Sequence, residues 1–434
     1  MKGKGLLMKI LVEVARFLLG ATFVFSGFVK AVDPMGTAYK IQDYFLAFGM
    51  ESFTGLSLTL SIAQAVLEFA LGAFMLVGIY RRVTTICVLL VMLFMTPLTL
   101  YLAIANPISD CGCFGDAFII SNWQTFYKNI VLLAASVLVV WRFYLITNFF
   151  TGKFYWLVGI FTIFYITGFC LYNTTYEPVF DFRPYKIGAD LPKLMSVEPG
   201  KGDVYENILV YEKDGVKKDF TEENYPWQDS TWTFVEMTTK MIKEGEKPAV
   251  QDFEIIRLFF NPEKTEIVAD ENITQEVLAD TGYVFLMIAY SLPEANVSYL
   301  SNLEDVSNYA NDYGYKFYCL TSSTSDDIIK WEKENAFNYT YCKTDERTLK
   351  TITRSNPGLV LLKNGVIINK WASLQVPQES DLIKPLDELS INKVATEEKT
   401  NENWRIFLIL LFVVPLLTVK FFDFIIYQRK KTIG

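Results

Sequence analysis

The chain has 434 residues, of which 51% are hydrophobic and 15% aromatic, with a formal net charge of −8 and no histidine. The acidic balance excludes the basic footprint that a phosphate backbone requires, so no nucleic-acid partner is expected. The lack of histidine removes imidazole ligation of haem, His-containing zinc sites and every Ser-His or Cys-His pair, which leaves cysteines, carboxylates, Lys, Tyr or a bound cofactor to carry any chemistry.

The apolar excess collects before about Tyr172 and again near the C-terminus, whereas Glu177 to Asn403 reads as an ordinary soluble sequence. A helix needs ~20 mostly apolar residues to cross a bilayer. Leu6–Val29, Leu56–Tyr80, Val83–Ala105, Phe126–Ile146, Phe154–Tyr172 and Ile406–Phe422 meet that requirement and predict six spans. With the N-terminus inside, the basic residues Lys2, Lys4, Lys9, Arg81, Arg82, Arg142, Lys153 and Arg429 to Lys431 all fall on the cytoplasmic side, and both termini are expected there. The first span is too long for a signal-peptide core and is followed by no small-residue cleavage site, so an uncleaved helix is expected. Three segments remain outside: Lys30–Gly55, Asn106–Gln124 and Asn173–Glu402.

Arg16 and Glu68 lie at similar expected depth in the first two spans. Isolated charges there are costly, so they are expected to face the bundle interior and pair. Such a pair reads either as a helix-locking ion pair or as a polar site for a quinone head group or a proton path. Lys30 falls near the outer surface, where a cation within reach of a thiol lowers its pKa.

The second outer segment carries Asp110-Cys111-Gly112-Cys113-Phe114-Gly115-Asp116. Two cysteines around one glycine close a small, strained disulfide in an oxidising compartment. Gly112 suits the tight backbone, and strain raises the reduction potential. A dithiol at the membrane surface can meet a protein substrate from water and a lipid-soluble quinone from the bilayer. Three readings stay open on the residues alone: a redox pair, an inert clip, or a soft-metal site. Two thiolates without histidine are poor coordination for zinc.

This loop, following a third apolar helix, resembles the methylamine-utilisation MauE proteins within the wider DoxX-like group. Gly20-Ala-Thr-Phe-Val-Phe-Ser-Gly-Phe-Val-Lys30 with Asp33-Pro34, and Leu67-Glu68-Phe-Ala-Leu-Gly72, extend the likeness over about the first 150 residues. The resemblance implies a four-helix bundle similar to quinone-coupled disulfide oxidoreductases, with thiol–disulfide chemistry at Cys111 and Cys113. It implies a bacterial inner membrane location, a periplasmic outer domain and a periplasmic client protein. It does not imply methylamine as a substrate. Quinone-reoxidised enzymes usually carry Cys-x-x-Cys and a second outer pair, and Lys30–Gly55 has no cysteine.

In the outer region, Asp181-Phe-Arg-Pro-Tyr-Lys-Ile-Gly188 reads as a linker folded on the membrane domain. An alternating run from Asn207 to Glu212 meets Lys213-Asp214-Gly215, a hairpin signal. A further strand is expected from Phe253 to Leu258. From about Glu276 strands and helices alternate, which predicts an α/β layer. Strands are expected at Val284–Tyr290, Lys316–Leu320, Tyr339–Cys342, Leu359–Leu362 and Val366–Trp371, and helices from Val297 to Asn311 and from Ser325, whose Asp326 and Asp327 suit a first turn. Asn356-Pro357-Gly-Leu-Val-Leu-Leu-Lys-Asn-Gly365 resembles the cis-proline and last hairpin of thioredoxin-like domains, and Pro357 is then expected to be cis. The matching place for a Cys-x-x-Cys pair reads Ser291-Leu-Pro-Glu-Ala-Asn296, without cysteine, which points to binding rather than redox work by this domain. Cys319 and Cys342 are expected on strands that could be neighbours, either bridged or as buried apolar thiols. Cys87 and Cys170 read as helix packing residues.

The expected architecture is therefore a mainly α membrane bundle with an α/β thioredoxin-like soluble domain. Its parts are a DoxX/MauE-like unit at 1–150, a fifth membrane helix at 151–175, a β-rich linker at 176–275, the thioredoxin-like domain at 276–395 and a last membrane helix at 404–427. The leading functional expectation is a membrane thiol-disulfide oxidoreductase or maturation factor, with a quinone as electron acceptor and neither haem nor zinc. The competing one is an assembly scaffold whose outer domain binds a partner. A DoxX-type subunit of a thiosulfate-oxidising complex ranks last, because nothing in the sequence points to a sulfur substrate.

Overall fold

The computed structural model describes residues 2–108, 110–198, 200–243, 245–335, 339–392 and 397–433. Lys2, Lys4, Arg429, Lys430 and Lys431, used above as topological markers, lie outside the residues whose side chains are described. The membrane part is built from α1 (Lys2–Val32), α2 (Pro34–Ala47), α3 (Ser57–Val77), α4 (Arg81–Ala105), α5 (Asn122–Trp141) and α6 (Tyr155–Thr175). Glycines decide how α1 meets α3. A Cβ on Gly27 would run into the Phe69 backbone and one on Gly72 into that of Val24. Small residues on facing stripes thus let the two backbones touch, the usual basis of helix packing in lipid.

Among the described residues, five helical stretches are long and apolar enough to cross a membrane: Glu51–Val77, Arg81–Ala105, Asn122–Trp141, Gly152–Thr175 and Asn403–Gln428. The chain is a multi-pass membrane protein. The helix α1, expected as the first of six spans, is not among these five; it carries Lys9, Glu13, Arg16 and Lys30 along its length. The span expected from Phe126 to Ile146 begins and ends earlier, with a capping box between Ser121 and Gln124 fixing its start. The segment Lys30–Gly55, expected as an outer connection, is not a simple loop. It folds into α2, where the Asp33 carboxylate caps the helix by accepting from Gly36 N at 2.8 Å and Pro34 occupies the first turn, followed by a short 3₁₀ turn over Glu51–Leu56.

After α6 the chain enters a mixed α/β domain with two sheets. It begins with a linker and the short α7 (Leu191–Leu194). The strands β1 (Val204–Lys213), β2 (Val216–Thr221) and β3 (Thr233–Lys243) form a three-stranded antiparallel sheet in the order β2-β1-β3, with β3 exposed along its whole length. A seven-stranded sheet follows, from β4 (Ile256–Phe260), β5 (Ile267–Asn272), β6 (Tyr283–Ile288), β7 (Lys316–Thr321), β8 (Thr340–Lys343), β9 (Gly358–Lys363) and β10 (Val366–Ala372), in the order β10-β9-β6-β7-β8-β4-β5. Its central β6, β7 and β8 are parallel. The helices α9 (Leu300–Asp312) and α10 (Ser325–Asn335) cover one face; α7, α8 (Thr274–Leu278) and α11 (Glu346–Ile352) cover the other. Burial on both faces explains why β6 reads as an unbroken apolar run.

Two expectations shift here. The strand expected at Phe253–Leu258 starts only at Ile256, while Phe253 and Ile255 plug the core beneath the sheet. Moreover β4 and β5, which precede residue 276, pair onto β8 and so belong to the same sheet as the later strands. The Asn356–Pro357 bond is cis, as expected. The helix α12 (Glu397–Ile433) returns to the membrane helices, where Asp423 accepts from Thr151 N and Oγ1 at 3.0 and 2.6 Å and Phe412 packs on Phe69 and Tyr165.

Buried charges join the two parts. The Arg183 guanidinium, from the linker, holds Asp181 at 2.7 Å and Glu177 at 2.8 Å, and Lys370 of β10 adds a contact to Asp181 at 2.8 Å. Glu177 also accepts from Thr353 Oγ1 and from Arg354 N at 3.1 Å. Arg354 then reaches Asp33 at 2.6 Å and Asp116 at 3.4 Å in the membrane part. Gly36 leaves room for this reach, since a Cβ there would stand 2.7 Å from Arg354 Nη2. Burial alone would raise the Asp33 and Glu177 carboxyls, but the facing guanidinium and ammonium groups hold both below the ordinary carboxylate range.

Candidate functional site

The Cys-Gly-Cys loop leaves α4 through Asn106, in the left-handed region at φ 46°, and turns at Gly112 with φ +67°. Asn122 at the start of α5 pins both its approach residues, donating to Asn106 Oδ1 at 3.1 Å and Ile108 O at 2.9 Å. The first aspartate of the motif, Asp110, accepts from Gly112 N at 2.9 Å and pairs with Lys40 of α2 at 2.6 Å. The last, Asp116, meets Arg354. Tyr44 of α2 donates to Cys111 O at 3.1 Å. Each flank of the dithiol is thus tied to a different element.

The two sulfurs lie 3.0 Å apart as free thiols. About 1 Å of approach separates that from a disulfide bond. Cys111 is buried and Cys113 half-buried. Their acidities are pushed apart. The Cys113 thiol is lowered to about 6, first because Cys111 donates to its sulfur and then because Lys128 and Lys30 face it, against burial and Glu68. The Cys111 thiol is raised by the same contact and by burial. Lys128 of α5 stands 4.2 Å over the Phe114 ring, next to the loop.

Beneath Cys113 three side chains converge. Lys30 Nζ donates to Cys113 O at 2.8 Å, to Ser26 Oγ at 2.8 Å and to Glu68 Oε2 at 2.9 Å. Ser26 Oγ lies 2.7 Å from both Glu68 Oε2 and Cys113 O. Gln64 Nε2 donates to Glu68 Oε1 at 2.8 Å. Lys30 therefore reaches the loop, as its depth suggests. The expected pairing of Arg16 with Glu68 does not form. Arg16 bonds Glu13 at 3.1 Å, Thr147 O at 2.7 Å and Leu76 O at 3.2 Å. The reason is register: α1 and α3 run antiparallel, with Gly27 level with Phe69 and Gly20 level with Leu76, so Glu68 meets the C-terminal end of α1.

Cys319 and Cys342 are free and buried. They sit on neighbouring strands, but Cys319 is in register with Tyr341 and Leu320 with Cys342. The two thiols thus point to opposite faces, one into each core. Pro357 lies beside the Ser291–Asn296 segment, where Asn356 Nδ2 donates to Ser291 O at 2.7 Å and Asn296 N to Asn356 O at 2.8 Å. Residues absent from the sequence reading are Ser26, Gln64, Lys128, Lys40 and Tyr44. A lone cation within the membrane-length α5 is the signal for Lys128; the others depend on the packing.

Compared with known families, residues 8–142 match the model of the family described as methylamine utilisation protein MauE. This segment is a MauE-family membrane domain. Residues 205–244, the three-stranded sheet beyond it, match a domain of unknown function (DUF8463). No curated protein and no solved structure matches the chain. The MauE-family segment contains the Cys-Gly-Cys loop and the Ser26–Lys30–Glu68 cluster, whereas the α/β domain lies outside it.

Proposed function

We propose that the chain is a membrane thiol-disulfide oxidoreductase that forms disulfides in client proteins on the outer face of the membrane, with Cys111 and Cys113 as its redox pair. The observation that carries this reading is the placement of two sulfurs at 3.0 Å with opposed acidities, the lowered one facing Lys128 and Lys30. In the oxidised enzyme a client thiolate attacks Cys111 Sγ, forms a mixed disulfide and expels Cys113 as the stabilised thiolate. A second client thiolate then attacks the client sulfur of that mixed disulfide, leaving the client oxidised and the pair reduced by two electrons. Re-forming the Cys111–Cys113 bond releases two electrons and two protons, which a membrane quinone would accept if bound beside the pair. The cleft bounded by Thr22, Met95, Phe114 and Lys128, with Cys113 in its wall, is where its ring would approach.

The orientation follows the same reading. Arg81 binds Ile146 O and Arg16 binds Thr147 O at the end of the bundle away from the Cys-Gly-Cys loop, which supports a cytoplasmic location for that end. The α/β domain then lies outside with the loop, in the periplasm of a bacterial inner-membrane protein. The parallel β6 and β7, the β9–β10 hairpin and the hydrogen bonds from Asn356 to the cysteine-free Ser291–Asn296 segment support a thioredoxin-like reading of that domain, as a binding rather than a redox unit.

The test is the redox state of the pair in cells, trapped by acid, alkylated and read by peptide mass spectrometry before and after quinone turnover is blocked. A mixed population that becomes reduced on blockade is expected, with client oxidation lost in Cys111→Ser and in Cys113→Ser. A bond that stays oxidised under both conditions overturns the enzyme reading and favours a scaffold with a structural clip.

A further inference from the structure

We infer that Ser26, Lys30 and Glu68 are positioning residues for the redox pair: from α1 and α3 they clamp the Cys113 carbonyl and set two opposed charges against its sulfur. The inference rests on the redox reading of Cys111 and Cys113, but it concerns how that pair is held rather than whether it cycles.

The clamp is a built feature. Lys30 is 3% exposed, and a buried ammonium at the edge of a helix bundle is costly unless every donor finds a partner. Its three N–H bonds have three acceptors, Ser26 Oγ, Glu68 Oε2 and Cys113 O. A cation serving only to lock α1 to α3 would need the carboxylate alone. Here it also grips a loop 83 residues on in sequence, at the backbone of the more acidic cysteine. The hold is on the carbonyl, so the sulfur stays free to react. Ser26 has one proton and two acceptors at 2.7 Å, the Glu68 carboxylate and the same carbonyl, so its hydroxyl can serve either.

Charge is the second half of the argument. The groups around the pair are Lys30 from α1, Glu68 from α3, Lys128 from α5, Tyr44 and Lys40 from α2, and Cys111 and Asp110 from the loop itself. Lys40 is engaged by Asp110 and Tyr44 by Cys111 O. Toward the Cys113 thiolate, Lys30 is attractive and Glu68 repulsive, so the two act in opposite directions. The hydrogen bond from Cys111 and the ammonium of Lys128 add to the attraction.

Opposite signs follow. In Glu68→Gln the amide keeps the shape while Lys30 stands uncompensated, so the thiolate gains stability. In Lys30→Gln the carboxylate stands alone, and the thiolate loses it. A cluster that only packed helices together would shift both variants the same way, or neither. The experiment uses the full chain, reduced, in lipid nanodiscs without client or quinone. The alkylation rate of Cys113 is followed against pH by mass spectrometry. The midpoint is expected to fall in Glu68→Gln and to rise in Lys30→Gln, each by about 1 unit, the scale for a charge within contact range. The double variant is expected to return toward the wild-type midpoint, which guards against effects of misfolding. Shifts in one direction, no shift, or a double variant that stays displaced overturn the inference. Because no client or quinone is present, this result is independent of whether the pair cycles in cells.

Discussion

Beneath Cys113 one ammonium, one carboxylate and one hydroxyl converge on a single carbonyl. At the junction of the two domains, Arg183, Arg354 and Lys370 interleave with Asp33, Glu177 and Asp181 over a much wider area. The first cluster is drawn from two helices within one bundle and aims at a group with chemistry of its own. The second spans linker, sheet and membrane helix, and every charge in it ends on another charge. Buried ion pairs are weak evidence for stability in themselves, but removing one partner is costly. The contrast teaches that the same kind of interaction serves tuning where it borders a reactive sulfur, and assembly where it closes on itself.

Three changes separate the roles of the two clusters by experiment. The largest effect is expected from Arg183→Met, which removes a fully buried guanidinium and leaves the half-buried Asp181 and Glu177 with Lys370 as their remaining facing side-chain cation. It should lower the stability of the α/β domain by about 3–5 kcal/mol in chemical denaturation, while the Cys113 alkylation midpoint stays unchanged. A moved midpoint would show that the two clusters are coupled. Next comes Arg354→Met, which cuts the contacts to Asp33 and Asp116, with those to Lys350 O and the Tyr39 ring. A loss of about 1.5–3 kcal/mol is expected in the docking of the domains, read as faster proteolysis of the linker around Asp181–Gly188 with the domain's own melting little altered. The smallest effect is that of acid. Asp33 and Glu177 have folded values held below their ordinary 3.8 and 4.5. Their contribution is complete above those values and is lost as the pH falls through the lower folded ones. Asp116, raised by burial, works in the opposite sense, since its contribution is lost as pH rises. Linker proteolysis should therefore increase below about pH 4, and Asp116→Asn should make that increase larger.

The parts of this arrangement that were legible in the sequence are those written locally. The Cys-Gly-Cys loop, the buried β6 run and the β9–β10 hairpin each carry their signal within a few residues. The signal for α2 is equally local, with Asp33 capping the first turn through Gly36 N and Pro34 opening it, but its length between two spans suits a plain connection as well. Arg16 and Glu68 were matched by depth, which ignores that antiparallel helices reverse the order of their residues; the true partner of Glu68 lies fourteen places further along α1. The reach of Arg354 to Asp33 crosses 321 residues and depends on how the α/β domain packs on the membrane part. No pattern along the chain encodes it.

The chain enters the α/β domain from α6 and leaves it into α12, so the domain is held to the membrane part at both ends. Its meeting with the Cys-Gly-Cys loop is consequently an internal event, governed by an effective concentration rather than by supply. Contacts too weak to recruit a free protein suffice to keep this one at hand. If they open, the domain remains close by and can settle again without searching the surrounding space.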